Sequence, residues 1–594
     1  MTITPLREPS PPRLPPSLIG PGVNDLPTWD EPRLPAPWGT RLRRVTRLRE
    51  IGILTLVALI GYIAAAYWSR YGLHFWINDA LNRTDDAVYV TVGRDPHLGA
   101  IGFYWPPLPQ LLQIPLVPFF RPFGAEIMAG PVSTAICMAA TIPVLAKIGM
   151  RLGLARWTTF LICAAFAVNP DIIYTSTNGM SEACFLLTGA VTMLGFLTYI
   201  QTRSTKDLLI FTVGLSGAIM TRLEGPLLVF ALVLVATFSI RHLRSSAWHF
   251  VIIIAPPYAC FAFWMLVQWI LLKDPLFFLH QDVGANPAPG TAVWLPNTAG
   301  HPWAVIPWAL GWVLVLGPVL FVLIASLVLR PLAGRNRGTL GILAGIGAIL
   351  IIQMYTVAKG AGFGDPRYFV MTILFATVGA MWLASNRDGS MLLGAWNLAL
   401  VAALVVAAGT GSYALTSGRI THEEAECSFF QYGVARVVPA LGRQQVGKFR
   451  CIPPGDGLRA WQQADHWFDT HLSSHDRVLS DNLSNFAASL FTTRPNLFIV
   501  RNDRDWQKTI ANPRTVTYIA TQSTTRTGLP TESASYARDE GANLLKLDQP
   551  GWHLVRSFAG AYNVVHAVTY VQIWHFVPGP AAGSTPTGTE SSVS

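Results

Sequence analysis

The chain has 594 residues, of which 51% are hydrophobic and only 13% charged, against roughly 25% charged residues in an ordinary soluble domain, so water is not its main solvent. A net charge of +10 would suit a nucleic-acid partner, but most basic residues ahead of the last domain lie in short loops between apolar runs. That pattern orients a protein in a membrane and argues against nucleic acid.

Residues 1–50 are rich in Pro and Arg, with no apolar stretch before Ile51 and no small-residue cleavage site close after it. They are expected to form a disordered cytoplasmic tail, not a cleaved signal. Eleven apolar runs follow, at 51–68, 127–146, 152–168, 183–200, 208–220, 226–240, 250–272, 303–329, 340–358, 369–384 and 391–413. A crossing helix needs ~18–20 such residues to cover about 30 Å of hydrocarbon. Two runs, 208–220 and 226–240, are short for a full span, and 152–168 contains Arg156.

With Arg41, Arg43, Arg44, Arg47 and Arg49 on the cytoplasmic side and each run crossing once, the loops can be checked. The predicted cytoplasmic loops hold Lys147, Arg151, Arg156, Arg203, Lys206, Arg241, Arg244, Arg330, Arg335, Arg337 and Arg387, with Asp207 and Asp388 as the exceptional acids. The opposite loops hold Asp79, Asp85, Asp86, Asp95, Glu126, Asp171, Glu182, Glu224, Asp274, Asp282 and Asp365. This alternation predicts a mainly α, polytopic transmembrane bundle of about eleven helices over 51–416, multi-pass in the plasma (inner) membrane, with the N-terminus cytoplasmic. The stretch 104–120 is apolar but broken by five prolines, so it is expected to lie along the interface and not to cross.

Beyond Ser417 hydrophobic density falls. A small extracytoplasmic α/β domain is expected over 417–575, outside because eleven is odd, followed by a disordered tail at 576–594. Strands are expected at 477–480, 497–500, 516–520, 553–555 and 569–576, and helices around 461–471 and 483–491. Cys137, Cys163, Cys184 and Cys260 fall in apolar segments as small hydrophobes. Cys427 and Cys451 fall in the polar domain, where an oxidising location would permit a bridge, although spacing alone does not establish one.

Chemistry-bearing residues gather on one side. Asp85 and Asp86, in the LNRTDDAVY segment of the first external loop, are adjacent carboxylates beside a membrane helix, where acids are costly without a partner or a task. The plain alternative is a solvated acidic turn paired with Arg83 or Arg94. On the same side lie Glu182 in NGMSEA, Arg222 and Glu224 in MTRLEG, His280 and Gln281, His301, and Lys359, Asp365, Arg367 and Tyr368 in KGAGFGDPRY. Taken singly, each reads as a snorkelling or capping side chain, and Arg222 with Glu224 as a local ion pair. Trp105, Trp294 and Trp303 read as interfacial anchors or, alternatively, as a lipid or sugar platform.

Taken together and in order, these motifs resemble a known family. An acidic pair followed by Ala-x-Tyr, a Trp-Pro-Pro-Leu stretch, Asn-Pro with Ser-Glu, Thr-Arg-x-Glu-Gly and a late Arg-Tyr is similar to the GT-C membrane glycosyltransferases, nearest to the protein O-mannosyltransferases and the lipid A aminoarabinose transferases. The resemblance spans roughly 81–383. It implies a polyprenyl-phosphate-linked sugar donor and an extracytoplasmic acceptor that is a glycan, a lipid or a protein. It also implies that Asp85 acts on the acceptor and that Arg222 and Arg367 lie near the lipid phosphate. Asp86 stands where the family commonly has Glu, a departure that leaves it to orient the acceptor or help hold a divalent metal. Tyr89, Glu182, Glu224, His280 and Tyr368 complete the expected substrate-binding set. No cofactor is assigned, and no clustered His or Cys marks a zinc site.

The chemistry accounts for these residue types. A carboxylate in a partly desolvated site takes the proton of an attacking hydroxyl, and guanidinium forks stabilise a departing phosphate. Inversion needs one carboxylate, unlike the flanking pair of most glycosidases. Two other classes stay open: a transporter or lipid-linked sugar flippase, which would place ionisable groups mid-membrane and often shows repeats, and a scaffold whose external domain binds a partner. Only seven of the 43 basic residues are Lys, and Ala and Gly are abundant; this points to a GC-rich bacterium and to a cell-envelope glycan or lipid acceptor.

Overall fold

The computed structural model describes residues 49–238, 243–278, 302–329, 336–358, 366–385, 392–416, 429, 458–482, 484–485, 487–523, 525–529, 540–547, 551–562 and 568–577. His280, Gln281, Trp294, His301, Lys359, Asp365, the expected tails but for a few residues, and the proposed Cys427–Cys451 pairing lie outside the described residues.

Each of the eleven apolar runs is mainly helical over its described residues. They form α1 (Arg49–Tyr67), α3 (Ala129–Arg151), α4 (Arg156–Ala167) with α5 (Pro170–Thr177), α6 (Glu182–Thr202), α7 (Thr205–Ile219), α8 (Gly225–Phe238), α9 (Leu243–Leu272), α10 (Val305–Leu316) with α11 (Val319–Leu329), α12 (Asn336–Ala358), α13 (Met371–Ser385) and α14 (Leu392–Thr416), α2 being described below. Among the described residues seven helical stretches are long and apolar enough to cross a membrane, and nine if the bent pairs α4–α5 (58°) and α10–α11 (106°) each count as one. The helices α7 and α8, of 15 and 14 residues, are shorter than that length. The chain is a multi-pass membrane protein.

Burial sorts the helices. Most residues of α3, α6 and α13 are buried, whereas α1, α9 and α14 turn Ile53, Leu56, Val57, Val251, Phe263, Trp269, Leu398, Val405 and Val406 outward. Exposed apolar surface on this scale is unfavourable in water and costs nothing against lipid. Within the bundle α6 and α7 cross at backbone contact. A methyl on Gly195 would stand 2.2 Å from the Phe211 nitrogen, and one on Gly214 would stand 2.4 Å from the Thr192 nitrogen, the small-residue packing that membrane helices favour.

The part of the expected first external loop that carries the acidic pair is a helix, α2 (Asn78–Val92). No Gly or Pro interrupts it, and Ala80, Leu81, Ala87 and Val88 give it a buried apolar side, so an amphipathic helix is its stable form. The proline-broken stretch 104–120 forms two short helices, Leu108–Gln113 and Leu116–Phe120, parted at Pro115, neither long enough to cross.

In the C-terminal domain all five expected strands form: β1 (Val478–Leu479), β2 (Phe498–Ile499), β3 (Tyr518–Ser523), β4 (Trp552–Tyr562) and β5 (Val568–Phe576), in the order β2-β1-β3-β5-β4. The strand β1 pairs in parallel with β2 and β3, and β5 is antiparallel to both β3 and β4. The helix α15 (Arg459–His471) matches its expected position and packs Trp461 and Phe468 inward. The second expected helix, 483–491, is absent: its described residues make successive turns. Asn485 explains the difference, since its side chain bonds the Gln522 N–H and the Ala520 carbonyl of β3, and Asn side chains that take such bonds compete with helix. Leu81, Ala87, Val88 and Tyr89 of α2 share one buried cluster with Trp461, Phe468, Leu497 and Phe498. The domain and α2 therefore have a common core.

Candidate active site

The site is built along α2. At 100° per residue, Asp79, Asn82, Arg83, Asp85, Asp86 and Tyr89 fall on one side of the helix, opposite Ala80, Ala87 and Val88. All six are polar, and all but Asp79 are buried.

At the C-terminal half of α2, Asp85 is fully buried. Its Oδ2 accepts a 2.9 Å hydrogen bond from the Tyr89 hydroxyl one turn on, and its Oδ1 a 2.7 Å bond from Ser489 of the turn segment. Burial pushes the Asp85 carboxyl up to about 7, against the opposing pull of the Ser489 and Tyr89 hydrogen bonds. Asp86 is also fully buried. Its Oδ1 accepts from Asn502 at 2.8 Å and from Asn482 at 3.3 Å. Burial, then the Asp85 charge, holds Asp86 well above the usual carboxylate range, with Arg83 and the two asparagines pulling the other way. Two interacting acids of unequal environment divide one proton unevenly, which leaves Asp85 the readier base.

Both asparagines reach Asp86 for a topological reason. The parallel register sets Val478 against Phe498, and Asn482 and Asn502 lie equally far beyond those residues, in the loops leaving the carboxyl ends of β1 and β2. Arg501 ties the loops together through a 2.9 Å bond to Asp481, and its backbone N–H bonds the Asn482 side chain. Beneath Asp86, Gly102 adopts φ +91°, and a Cβ there would stand 2.7 Å from Asp86 Oδ2; only glycine permits both the conformation and the approach.

At the N-terminal half of α2 a guanidinium cluster assembles. Arg222, in the turn between α7 and α8, donates to Glu182 at 2.7 Å and to Glu224 at 2.9 Å, and also to Ser181. Gln353 of α12 donates a further 2.7 Å bond to Glu224. Arg367 meets Asp79 of α2 at 3.4 Å. The Tyr368 ring lies 5.1 Å from each of the Arg222 and Arg367 guanidinium carbons, within the range of cation–π attraction. The expected local pair of Arg222 with Glu224 exists, but as part of a triad closed by Glu182.

The two clusters are joined by Arg83. It is buried, donates to Gln110 at 3.1 Å and lies 4.2 Å over the Trp105 ring. Its ionisation is lowered to about 10, first by burial, with Asp79, Glu182 and Asp86 raising it and Arg222 lowering it. Trp105 is thus part of the site wall.

The structure therefore brings Glu182, Arg222, Glu224, Arg367 and Tyr368 into one cluster and Asp85, Asp86 and Tyr89 into another on the same helix, while His280 lies outside the described residues. Ser489, Asn482, Asn502 and Arg83 were not among the expected site residues. Arg83 stood beside the acidic pair as its possible partner, and for Ser489, Asn482 and Asn502 the only signal was the expected placement of the C-terminal domain on the same side as that pair. Among the described residues no group of three or more His, Cys, Asp or Glu is arranged to hold a metal ion.

No family model and no curated protein matches the chain. Among solved structures it is similar to ArnT from Cupriavidus metallidurans bound to undecaprenyl phosphate, at 14% identity and a TM-score of 0.47, covering 89% of this chain and 98% of that one. The apo state of the same ArnT gives 13% and 0.45, covering 88% and 98%. The Archaeoglobus fulgidus oligosaccharyltransferase in complex with Zn and sulfate gives 11% and 0.35, covering 86% and 72%.

Proposed function

We propose that this chain is a membrane glycosyltransferase of the GT-C type that moves a sugar from a polyprenyl-phosphate donor to an extracytoplasmic acceptor, by inversion, with Asp85 as base. The observation that carries the reading is the construction of α2: one short helix joins a buried carboxylate pair, readied to take a proton, to three arginines from three separate segments.

The acceptor oxygen attacks the anomeric carbon, the bond from that carbon to the phosphate oxygen breaks, and the electron pair leaves with the lipid phosphate. The acceptor proton passes to Asp85. Ser489 already donates a hydroxyl hydrogen bond to Asp85, so an acceptor hydroxyl takes up an interaction of the same kind. Asp86, held by Asn482 and Asn502, orients the acceptor. The growing phosphate charge is stabilised by Arg367 and Arg222, with Glu182 and Glu224 fixing the Arg222 plane. Tyr89 sets the Asp85 carboxylate plane, and Tyr368 spaces the two guanidiniums. The membrane is the plasma (inner) membrane, the N-terminus is cytoplasmic and the C-terminal domain extracytoplasmic. The acceptor is a cell-envelope glycan or lipid.

The test uses the purified chain in lipid, given radiolabelled polyprenyl-phosphate hexoses and pentoses with envelope extracts. Release of free polyprenyl phosphate together with label in a new glycoconjugate supports the reading. Movement of intact lipid-linked sugar across a vesicle with no bond broken would instead identify a flippase.

A further inference from the structure

Asn82 is fully buried on the polar side of α2, yet neither its Oδ1 nor its Nδ2 has a hydrogen-bond partner. Buried amides are nearly always paired, and an unpaired one is a cost that a fold keeps only for a reason. Two more unpartnered atoms lie on the same side of the helix within one turn, Arg83 Nε and Asp86 Oδ2. All three belong to residues on the polar side of α2, Asn82 and Arg83 between the arginine cluster and Asp85.

Their position along the axis is informative. Asn82 is three residues, about 4.5 Å of helix rise, from Asp79, whose carboxylate meets Arg367. It is equally far, about 4.5 Å of rise, from Asp85 on the other side. In the transfer proposed above, the phosphate lies at the arginine end and the acceptor hydroxyl at Asp85. The donor sugar is the group covalently joined to the phosphate and attacked by the acceptor, so it must lie between them, at the level of Asn82. A side-chain amide offers two donors and one acceptor, the complement of sugar hydroxyls, which both donate and accept. Trp105, stacked on Arg83, supplies an aromatic wall beside the same side of α2.

We infer that Asn82 reads the hydroxyl groups of the donor sugar, with Arg83 Nε completing the contact and Asp86 Oδ2 left to the acceptor, so that Asn82 sets which sugar the protein transfers. The inference rests on the reading of this chain as a polyprenyl-phosphate sugar transferase.

The experiment compares wild type with Asn82→Leu and Asn82→Ala on a panel of polyprenyl-phosphate hexoses and pentoses and their deoxy analogues. It also measures binding of polyprenyl phosphate alone and thermal unfolding in detergent. Leu matches Asn in size and removes only the unpaired amide, so its unfolding temperature should be equal or higher. Both variants should lose about tenfold to a hundredfold in kcat/KM for the preferred donor. Discrimination against the deoxy analogue should collapse, with affinity for polyprenyl phosphate unchanged. Unaltered sugar selectivity and turnover in both variants would overturn the inference. So would joint loss of unfolding temperature and phosphate affinity, which would mark Asn82 as structural. A wild type that releases no polyprenyl phosphate from any donor would instead refute the parent reading, and this inference with it.

Discussion

Ser489 lies 404 positions beyond Asp85 in the chain and donates a 2.7 Å hydrogen bond to its carboxylate. The base of the proposed reaction is thereby shared between the membrane bundle and the C-terminal domain, and its proton affinity depends on both.

That bond predicts the pH dependence. Asp85 acts only when ionised, and its carboxyl is pushed up to about 7. The value of kcat/KM should therefore fall about tenfold per unit below about pH 7 and level off above it. The Ser489 bond favours the ionised form, so Ser489→Ala should raise the affinity for the proton and move the acid limb to higher pH. A pH profile of kcat/KM, which reports the substrate-free protein, is the check for both proteins; a limb that stays put or moves down contradicts the assignment.

Gly102→Ala should be damaging for two separable reasons. The positive φ costs an L-residue about 1–2 kcal/mol, and the new methyl would stand 2.7 Å from Asp86 Oδ2. Thermal unfolding should report the first and a fall in turnover beyond about tenfold the second, because Asp86 must shift. Ordinary stability with ordinary turnover would show that the Gly102–Asp86 contact has no role.

Much of this organisation was legible in the sequence, and the exceptions share a cause. The five strands and α15 announce themselves through local apolar patterning, which the domain obeys. The side shared by Glu182, Arg222 and Arg367 follows from charge alternation between apolar runs. The turn segment around Ser489 was misread because Asn485 spends its side chain on β3, a bond formed only once the sheet exists. The helical form of the segment with the acidic pair is not legible locally, because α2 is too polar to resemble a membrane helix. Its polar side is buried by Ser489, Asn482 and Asn502, and no local pattern couples positions some four hundred apart.

Arg222 holds two buried acids and, in the proposed reaction, meets the phosphate; substitution separates the two. Arg222→Ala strands Glu182 and Glu224 in the interior and should cost about 3–5 kcal/mol. Arg222→Lys keeps a positive charge but loses the planar fork that spans both acids. It should fold and show at least about a tenfold loss in kcat/KM for the donor. Normal donor kinetics in a folded Arg222→Lys protein would leave the residue a purely structural ion pair.

Ion pairs made by Arg94, with Asp503 and Asp505, and by Arg504, with Asp95, tie the end of α2 to the loop after β2, and the two arginines should differ in weight. Arg94 bonds Asp503 at 2.9 Å, and that carboxylate is 3% exposed; Arg94→Ala strands it and should cost about 2 kcal/mol after allowance for screening at the partly exposed arginine. Arg504, which pairs with Asp95, is 71% exposed, so Arg504→Ala should change unfolding temperature little. Unfolding curves showing equal effects, or the reverse order, would contradict the described interface.

The most direct test of the account is Asp85→Asn, which keeps the shape of the side chain and removes the base. The variant, reconstituted in lipid with labelled polyprenyl-phosphate sugar and acceptor, should bind the donor as wild type does and unfold at a similar temperature. Its release of polyprenyl phosphate should fall by a factor of about a hundred or more. Turnover within a few fold of wild type would contradict the assignment of Asp85 as the proton acceptor, and with it the chemistry built along α2.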